Sequence, residues 1–294
     1  MWLIEVAIEP ETKADQQRLD SALPELAAND PTLGFQPDRE SGHTILRGMT
    51  EGQLDRAIGV LRNTYGVIAN VGSLQVAYRE TIGRRAEIIY THKTATEDSA
   101  EFAGVRIIFE PAERGAGYAF ENRAGDDVPT PFVVGVQMGL RAAMEEGLLA
   151  GFPVVDLHAT LAGGTYNDVD STPSAFEIAA RAAFGELCHR GSPRLLEPIM
   201  RMAVTTPEVF VGDVIGDLNA RRGMITGSVY RRDSVVITGD VPLSNLFGYA
   251  HTLGAMSQGE AEFEMEFDRY EVMPPLDQTD PDPDLFPPAA AMRA

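Results

Sequence analysis

The same order of strand and helix signals occurs at both ends of this sequence, and that repetition constrains the fold more than any single motif. Residues 3–9, LIEVAIE, alternate apolar and polar with the period of a strand. TKADQQRLDSALPELAAND then sets Leu19, Leu23 and Leu26 at helical spacing before a turn at Asn29 to Pro31. TLGFQPD and HTILRGM read as two strands around the turn DRESG, and TEGQLDRAIGVLRNTYG as a helix with Leu54, Ile58 and Leu61 on one face. VIANVGSLQVAYRE reads as a closing strand. Near the C-terminus the order returns. IMRMAVTTPE is a strand and VFVGDVIGDLNARRG a helix stopped at Gly223. MITGSVYR and SVVITGDVP form a hairpin-like pair, LSNLFGYAHTLGAMSQG a helix stopped at Gly259, and AEFEMEFDRYEV a long alternating strand. Each end is therefore a split β-α-β-β-α-β unit. The repeat is one of architecture, without residue-level identity between the halves.

Between them, RAEIIYTHKT and GVRIIFEP read as strands joined by an acidic loop, TEDSAE. After a Gly-rich passage come a helix, FVVGVQMGLRAAMEEGLLAG, a strand, PVVDLHATL, a loop, AGGTYNDVDSTP, and the helix SAFEIAARAAFGELCHRG. The expected fold class is α+β, with two ferredoxin-like domains at residues 1–79 and 199–272 flanking a third α+β domain at 80–198. The tail, 273–294, is rich in Pro and Asp, cannot supply the interior of a helix or sheet, and is expected to be disordered and acidic.

Charge narrows the partners. The 294 residues carry 44 acidic and 24 basic side chains, a formal net charge of -20, and every segment is net acidic. A domain-wide grip on nucleic acid is excluded and DNA is not an expected partner; any RNA contact has to be local. The single cysteine, Cys188, rules out an intramolecular disulfide and there is no CxxC or zinc-type cluster. No stretch approaches the roughly 20 apolar residues of a membrane helix, and no positively charged leader precedes the first apolar run. The expectation is a soluble cytoplasmic protein, monomeric, with no membrane partner.

Catalytic signatures are absent: there is no phosphate loop, no dinucleotide fingerprint, no HExxH and no GxSxG. The best enzymatic constellation is His158 on a strand with Asp168 and Asp170 in the loop that follows, joined by Cys188 and His189. The competing reading, a strand histidine and aspartates that form turns and cap the next helix, is favoured, so no catalytic residue and no metal ligand set is assigned. The loop itself is long for a strand-to-helix connection. Gly163 and Gly164 would give it backbone freedom, Tyr166 an aromatic face for stacking, and Asn167 two-sided hydrogen bonding to base edges or 2′-hydroxyls; helix entry with Asp170 or Ser171 as cap is the plain alternative.

Adjacent arginines stand out in so acidic a chain. Arg221 and Arg222 close the helix GDVIGDLNARRG, where cations complement the helix dipole by roughly 0.3 to 1 kcal/mol. Alternatively they act with Arg231 and Arg232, at the end of the next strand, as a phosphate clamp. The stripe in LSNLFGYAHTL reads as core, and EAEFEMEFD places Phe263, Met265 and Phe267 on one face and an acidic ladder on the other.

The ordered series VAIEPETKAD, VAYRETI, LAGFPVVD, YNDVDS, LLEPIM, TTPE, GDVIGDLNARRG, VPLSNLFGYA and MEFDRYE resembles the C-terminal portion of the bacterial translation elongation factor G family, over about residues 4–272. The resemblance implies that family's domains III, IV and V: ferredoxin-like first and last, with a middle domain of ribosomal-protein type. It also implies a ribosomal partner. The middle domain would reach the decoding region and follow the tRNA–mRNA module during translocation, and the last would lie against the stalk base and the sarcin-ricin rRNA. Carried over by motif, one tip loop holds Tyr166, Asn167, Asp168 and Asp170, and the other runs from Thr94 to Glu101 beside Lys93. The helix with Asp217, Asn219, Arg221 and Arg222 falls on the RNA-facing domain. GTP and Mg would enter only through the nucleotide-binding domain, which these residues do not contain, so no cofactor is expected.

Three departures from the family pattern stand out. Asn167 replaces a usual His, THKTATEDSAE replaces a basic Gly-rich tip, and GMTEGQL replaces GMGELHL, putting Thr50, Gly52 and Gln53 on the side that normally meets the nucleotide-binding domain. They leave room for the alternative of a divergent stand-alone paralogue acting as a protein-interaction module.

Overall fold

A computed structural model of the chain describes residues 2–37, 43–95 and 100–274. Its Cα framework divides into two compact units, one of residues 1–77 with 197–269, the other of 78–196 with the segment from 270 onward. The turn DRESG, most of the acidic tip TEDSAE and nearly all of the Pro- and Asp-rich tail lie outside the described residues.

In the first unit the N-terminal half folds as β1 (Ile4–Pro10), α1 (Lys13–Asn29), β2 (Gly34–Pro37), β3 (Thr44–Gly48), α2 (Glu51–Asn63), β4 (Ala69–Val71) and β5 (Gln75–Val76). The sheet order is β2-β3-β1-β4, with β5 also pairing β1, all antiparallel. Register follows from burial. Ile4, Val6 and Ile8 of β1 sit opposite Gly48, Leu46 and Thr44, and a slip of one residue would turn all three apolar side chains to solvent. With Leu19 and Leu23 of α1 and Leu54 and Leu61 of α2 they form the core beneath the sheet. Both helices start on a threonine cap: Thr12 accepts from the Asp15 amide and Thr50 from the Gln53 amide. The closing strand expected over VIANVGSLQVAYRE is broken in two, because Gly72 leaves the β4 register while its amide still donates to Ala7.

The second unit contains β6 (Arg79–Ile82), β7 (Ala86–Ala95), β8 (Ala100–Pro111), β9 (Tyr118–Asn122), α3 (Thr130–Glu146), β10 (Leu157–Thr165), α4 (Pro173–Gly185), α5 (Leu187–Arg190) and the start of β11 (Pro193–Thr206). Its sheet runs β7-β8-β10-β9, antiparallel except for the parallel β10–β9 pair. The Gly-rich passage therefore hides a strand, YAFEN. One face carries α3 and α4, which approach closely because Gly135 and Gly139 face the Pro173 and Glu177 carbonyls; a Cβ there would lie 2.1 Å and 2.3 Å from those oxygens. Ile107, Phe109, Leu140, Leu157, Phe176 and Phe184 fill the layer between.

Glu80 is the hidden brace of this unit. Its fully buried carboxylate accepts from the amides of Leu148, Leu149, Ala150 and Phe152 at 2.5 to 3.1 Å, fixing the turn after α3.

The C-terminal half of the first unit continues β11 into α6 (Val211–Ala220), β12 (Met224–Tyr230), β13 (Val235–Pro242), α7 (Tyr249–Met256) and β14 (Glu262–Val272). The order β12-β13-β11-β14 repeats that of the first half, element for element, so both are ferredoxin-like as the element order predicts. Phe263 points into the core against Tyr249, ring centroids 5.1 Å apart, and Glu262, Glu264 and Glu266 face outward. The expected single helix LSNLFGYAHTLGAMSQG is instead a 3-10 turn over 243–246 and α7, separated at Gly248, which takes a left-handed φ of 69°.

Candidate nucleic-acid interface

In the second unit, chain connectivity and two hydrogen bonds gather the tip residues at one end. β7 and β8 pair to the hairpin end with Lys93 opposite Phe102, Thr94 opposite Glu101 and Ala95 opposite Ala100. The loop after β10 is tied to this hairpin: the Phe102 amide donates to the Asp170 carbonyl, 3.0 Å, and the Ser171 hydroxyl to the Phe102 carbonyl, 2.6 Å. Lys93, Thr94, Tyr166, Asn167, Asp168 and Asp170 are thus brought to one end, with all but Asp170 exposed. His92 Nε2 lies 3.1 Å from a Glu101 carboxylate oxygen, so acid and base at the hairpin end face each other.

The loop chemistry differs from the expectation in three ways. Gly163 and Gly164 belong to β10 and not to the loop, and a bulge at Ala162 marks them. Gly164 is a close-approach glycine, where a Cβ would lie 2.5 Å from the Gly104 carbonyl oxygen. Asn167 spends its amide internally, accepting from the Val169 amide at 2.9 Å and donating to Asp170 at 3.1 Å, an Asx turn that sets the loop's shape. Helix entry is capped by Thr172, which accepts from the Ala175 amide, in place of Asp170 or Ser171. Tyr166 keeps a free face: its ring is 5.7 Å from Phe132, which stacks on Phe176 at 4.8 Å with an interplanar angle of 4°, and 42% of the residue is exposed. A planar group could stack there.

The four arginines of the first unit do not form one patch. Arg221 and Arg222 precede β12, and Arg231 and Arg232 follow it. At about 3.3 Å per residue the two pairs are roughly 20 Å apart. Arg221 is occupied: Nε pairs with Asp217 at 2.7 Å, one terminal nitrogen donates to the Asn245 carbonyl at 2.7 Å, the other to Thr252 at 3.2 Å, and the guanidinium lies 5.1 Å from the Tyr249 ring centroid. Burial pushes the Tyr249 phenol up to about 12, and its oxygen has no hydrogen-bond partner among the described residues. Arg222 forms a two-pronged pair with Glu197, 3.1 and 2.5 Å, and that carboxylate is only 3% exposed.

The helix end is also one residue earlier than expected. Arg222, φ 63°, is the left-handed residue after the C-cap Arg221; its amide donates to Asn219 and that of Gly223 to Leu218, a Schellman ending. Gly223 is required by contact, since a Cβ would meet the Leu218 oxygen at 2.6 Å. Asn219 and Arg232 are exposed, and Arg231 is exposed with its amide closing the turn to Ser234.

The enzymatic constellation does not assemble. His158 is the second residue of β10, and Asp168 and Asp170 follow its far end, so the strand holds them about 25 Å apart. His158 lies 3.9 Å from Glu110 and 3.9 Å from Glu121 instead, and Arg123 holds the Glu121 carboxyl below its usual range. Thr50 and Gln53, set apart above for their family context, do internal work: Gln53 donates to Asp30 and Thr32 and accepts from the Met49 amide. Arg84, Arg190 and Arg194 were not among the candidates drawn from sequence, although GRR at 83–85 and RGSPR at 190–194 are their signal.

Fold and site together define a multi-module α+β protein: two ferredoxin-like modules and, between them in sequence, an α+β module with a loop-and-hairpin tip. Family models match end to end: Elongation Factor G, domain III over residues 2–73, Elongation factor G, domain IV over 74–192, and Elongation factor G C-terminus over 194–280. Elongation factor G of Hyphomonas neptunium is 52% identical over 273 residues, 92% of this chain and 39% of that protein. A crystal structure of a Thermus thermophilus protein superposes with a TM-score of 0.74 at 36% identity, over 92% of this chain and 41% of the other. The chain belongs to the elongation factor G family and spans about two fifths of the length of these relatives. No helix among the described residues is long and apolar enough to cross a membrane.

Proposed function

We propose that this chain is the ribosome-binding portion of an elongation factor G, acting in tRNA–mRNA translocation as part of the whole factor, with segments 1–79, 80–198 and 199–272 as its domains III, IV and V. The observation that carries the reading is the succession of three family models, in family order, over residues 2–73, 74–192 and 194–280. The tip of the second unit supports it chemically: a stacking face on Tyr166 and the exposed Lys93 and Thr94 lie at one end, the arrangement a single-stranded or bulged RNA can meet. On this reading the chain itself carries out no nucleotide chemistry, works in the cytoplasm as a monomer, and takes GTP and Mg only through another part of the factor. The test is co-sedimentation with bacterial ribosomes across a salt series, with full-length elongation factor G as competitor. Salt-sensitive, competable binding is expected; absence of binding by protein with the far-UV circular dichroism of a folded chain overturns the reading.

A further inference from the structure

We infer that Arg84, Arg190 and Arg194 form a preorganised phosphate-binding patch on the second unit, fitted to the backbone of structured RNA. The inference deepens the ribosome reading by naming a contact surface, and it rests on that reading for its biological setting only.

Backbone carbonyls hold two of the three guanidiniums. Arg84 donates through Nε and a terminal nitrogen to the Arg190 carbonyl, 3.2 and 2.9 Å. Arg190 in turn reaches the Glu87 carbonyl at 3.4 Å. Arg194 lies over Gly83, so close that a Cβ on that glycine would be 2.7 Å from its Nε and 2.9 Å from its Cζ. The backbone draws the three together: the Gly83 amide donates to Gly191 and Ser192, the Arg84 amide to Gly191, and Arg194 pairs in register with Thr81.

Carbonyl dipoles orient a guanidinium without neutralising it. Among the described residues no carboxylate lies within ion-pair distance of Arg84, Arg190 or Arg194, and the nearby Glu87 and Glu110 are taken by Arg106 and Arg85. All three arginines are exposed. Three like charges on adjoining backbone segments with no counter-charge repel one another, and an anion that bridges them removes that cost. Planar guanidinium forks suit phosphodiester oxygens, and several of them on neighbouring backbone segments suit successive phosphates better than one carboxylate. The contrast with Arg221 and Arg222 is direct, because both of those have carboxylate partners of their own.

The test uses the full chain and a short, fluorescently labelled RNA duplex, with the binding constant followed across a potassium chloride series. The Arg84→Gln/Arg190→Gln/Arg194→Gln variant is expected to show a log–log salt slope shallower by about 2 to 3, and the triple Lys variant to keep the slope, since each phosphate contact contributes about one unit. Melting by circular dichroism establishes that the Gln variant is folded. An unchanged slope in the folded Gln variant overturns the inference. So does binding of poly-glutamate that exceeds binding of the duplex and is lost in the variant, which would give the patch to an acidic protein segment. Ribosome co-sedimentation separates the two readings: wild-type chain that binds ribosomes with a slope the Gln variant leaves intact refutes the patch alone. A chain that binds the duplex as expected but never ribosomes refutes the ribosome reading and leaves the patch standing.

Discussion

Arg222 offers the sharpest separation of structural from RNA-binding roles. Its φ of 63° is a conformation in which a residue with a Cβ costs about 1 kcal/mol more than glycine. What offsets that strain is the pair with Glu197, a carboxylate 3% exposed. Removing one partner of a fully buried pair costs about 3 to 5 kcal/mol. Here the arginine side chain is 40% exposed, so water fills the vacated space and roughly half of that, about 2 kcal/mol, is the expected loss in Arg222→Ala. Arg222→Gly loses the same pair but recovers the backbone strain, leaving a net loss of about 1 kcal/mol. Because the chain has two compact units, a single two-state transition is not assured, and native-state hydrogen exchange of the α6 and β12 amides is the appropriate assay. Equal losses in the two variants would refute the strain assignment. Unchanged protection in both would refute the structural pair, and if RNA affinity fell at the same time, Arg222 would return to the role of phosphate clamp.

Three further outcomes follow from the packing. Glu80→Gln places an NH2 group or a single carbonyl where four amides converge, leaving at least two buried donors unpaired; a loss of about 3 kcal/mol, read as a lower melting temperature of the second unit, is expected. Gly139→Ala sets a Cβ 2.3 Å from the Glu177 oxygen and should cost about 2 to 3 kcal/mol by the same measurement, whereas Gly185→Ala, with open space at its Cβ, should not. The Asp15 carboxyl is held below its usual range by the Thr12 hydroxyl first, then by the Ile68 amide and Arg18. Its stabilisation is therefore present above the unfolded value and lost as pH falls through the lower folded one, so the stability curves of wild type and Asp15→Asn should separate above about pH 4 and converge below it.

The order of elements was legible because the two periodicities, 2 and 3.6, are local. LIEVAIE and EFEMEFD alternate: Ile4, Val6 and Ile8 of the first are buried, and Phe263, Met265 and Phe267 of the second are half-buried beside exposed glutamates. What was not legible depended on distant partners. YAFEN reads as a Gly-flanked passage until β10 lies parallel beside it, Leu157 opposite Tyr118. At the end of α6 two neighbouring residues compete for the left-handed position, and a Gly after an Arg favours the Gly on sequence alone. The Leu218 oxygen decides otherwise, because its distance from Gly223 leaves no room for a side chain. The residues that the motifs assign to the two tip loops lie at one end of the second unit, but the internal use of Asn167 is a consequence of loop closure on Ser171 and Asp170, which spacing does not encode.

The arginines carry the same lesson about charge. In a chain with 44 acidic and 24 basic side chains, adjacent arginines can each be taken by a carboxylate, as Arg221 and Arg222 are. Positive charge survives folding where the backbone supplies the hydrogen bonds in place of a carboxylate, as at Arg84 and Arg190. Such a patch can act inside an acidic field because the two forces have different ranges. At physiological ionic strength the Debye length is about 8 Å, so a phosphate in contact with the three guanidiniums feels them and little of the net charge beyond. At about 0.01 M salt the screening length grows to about 30 Å and the whole net charge of -20 repels the RNA. The log–log plot of affinity against salt should therefore be linear near physiological salt and bend toward weaker binding than the extrapolated line as salt falls. A plot that stayed straight down to the lowest salt would mean that the acidic groups do not act on the bound RNA as one field.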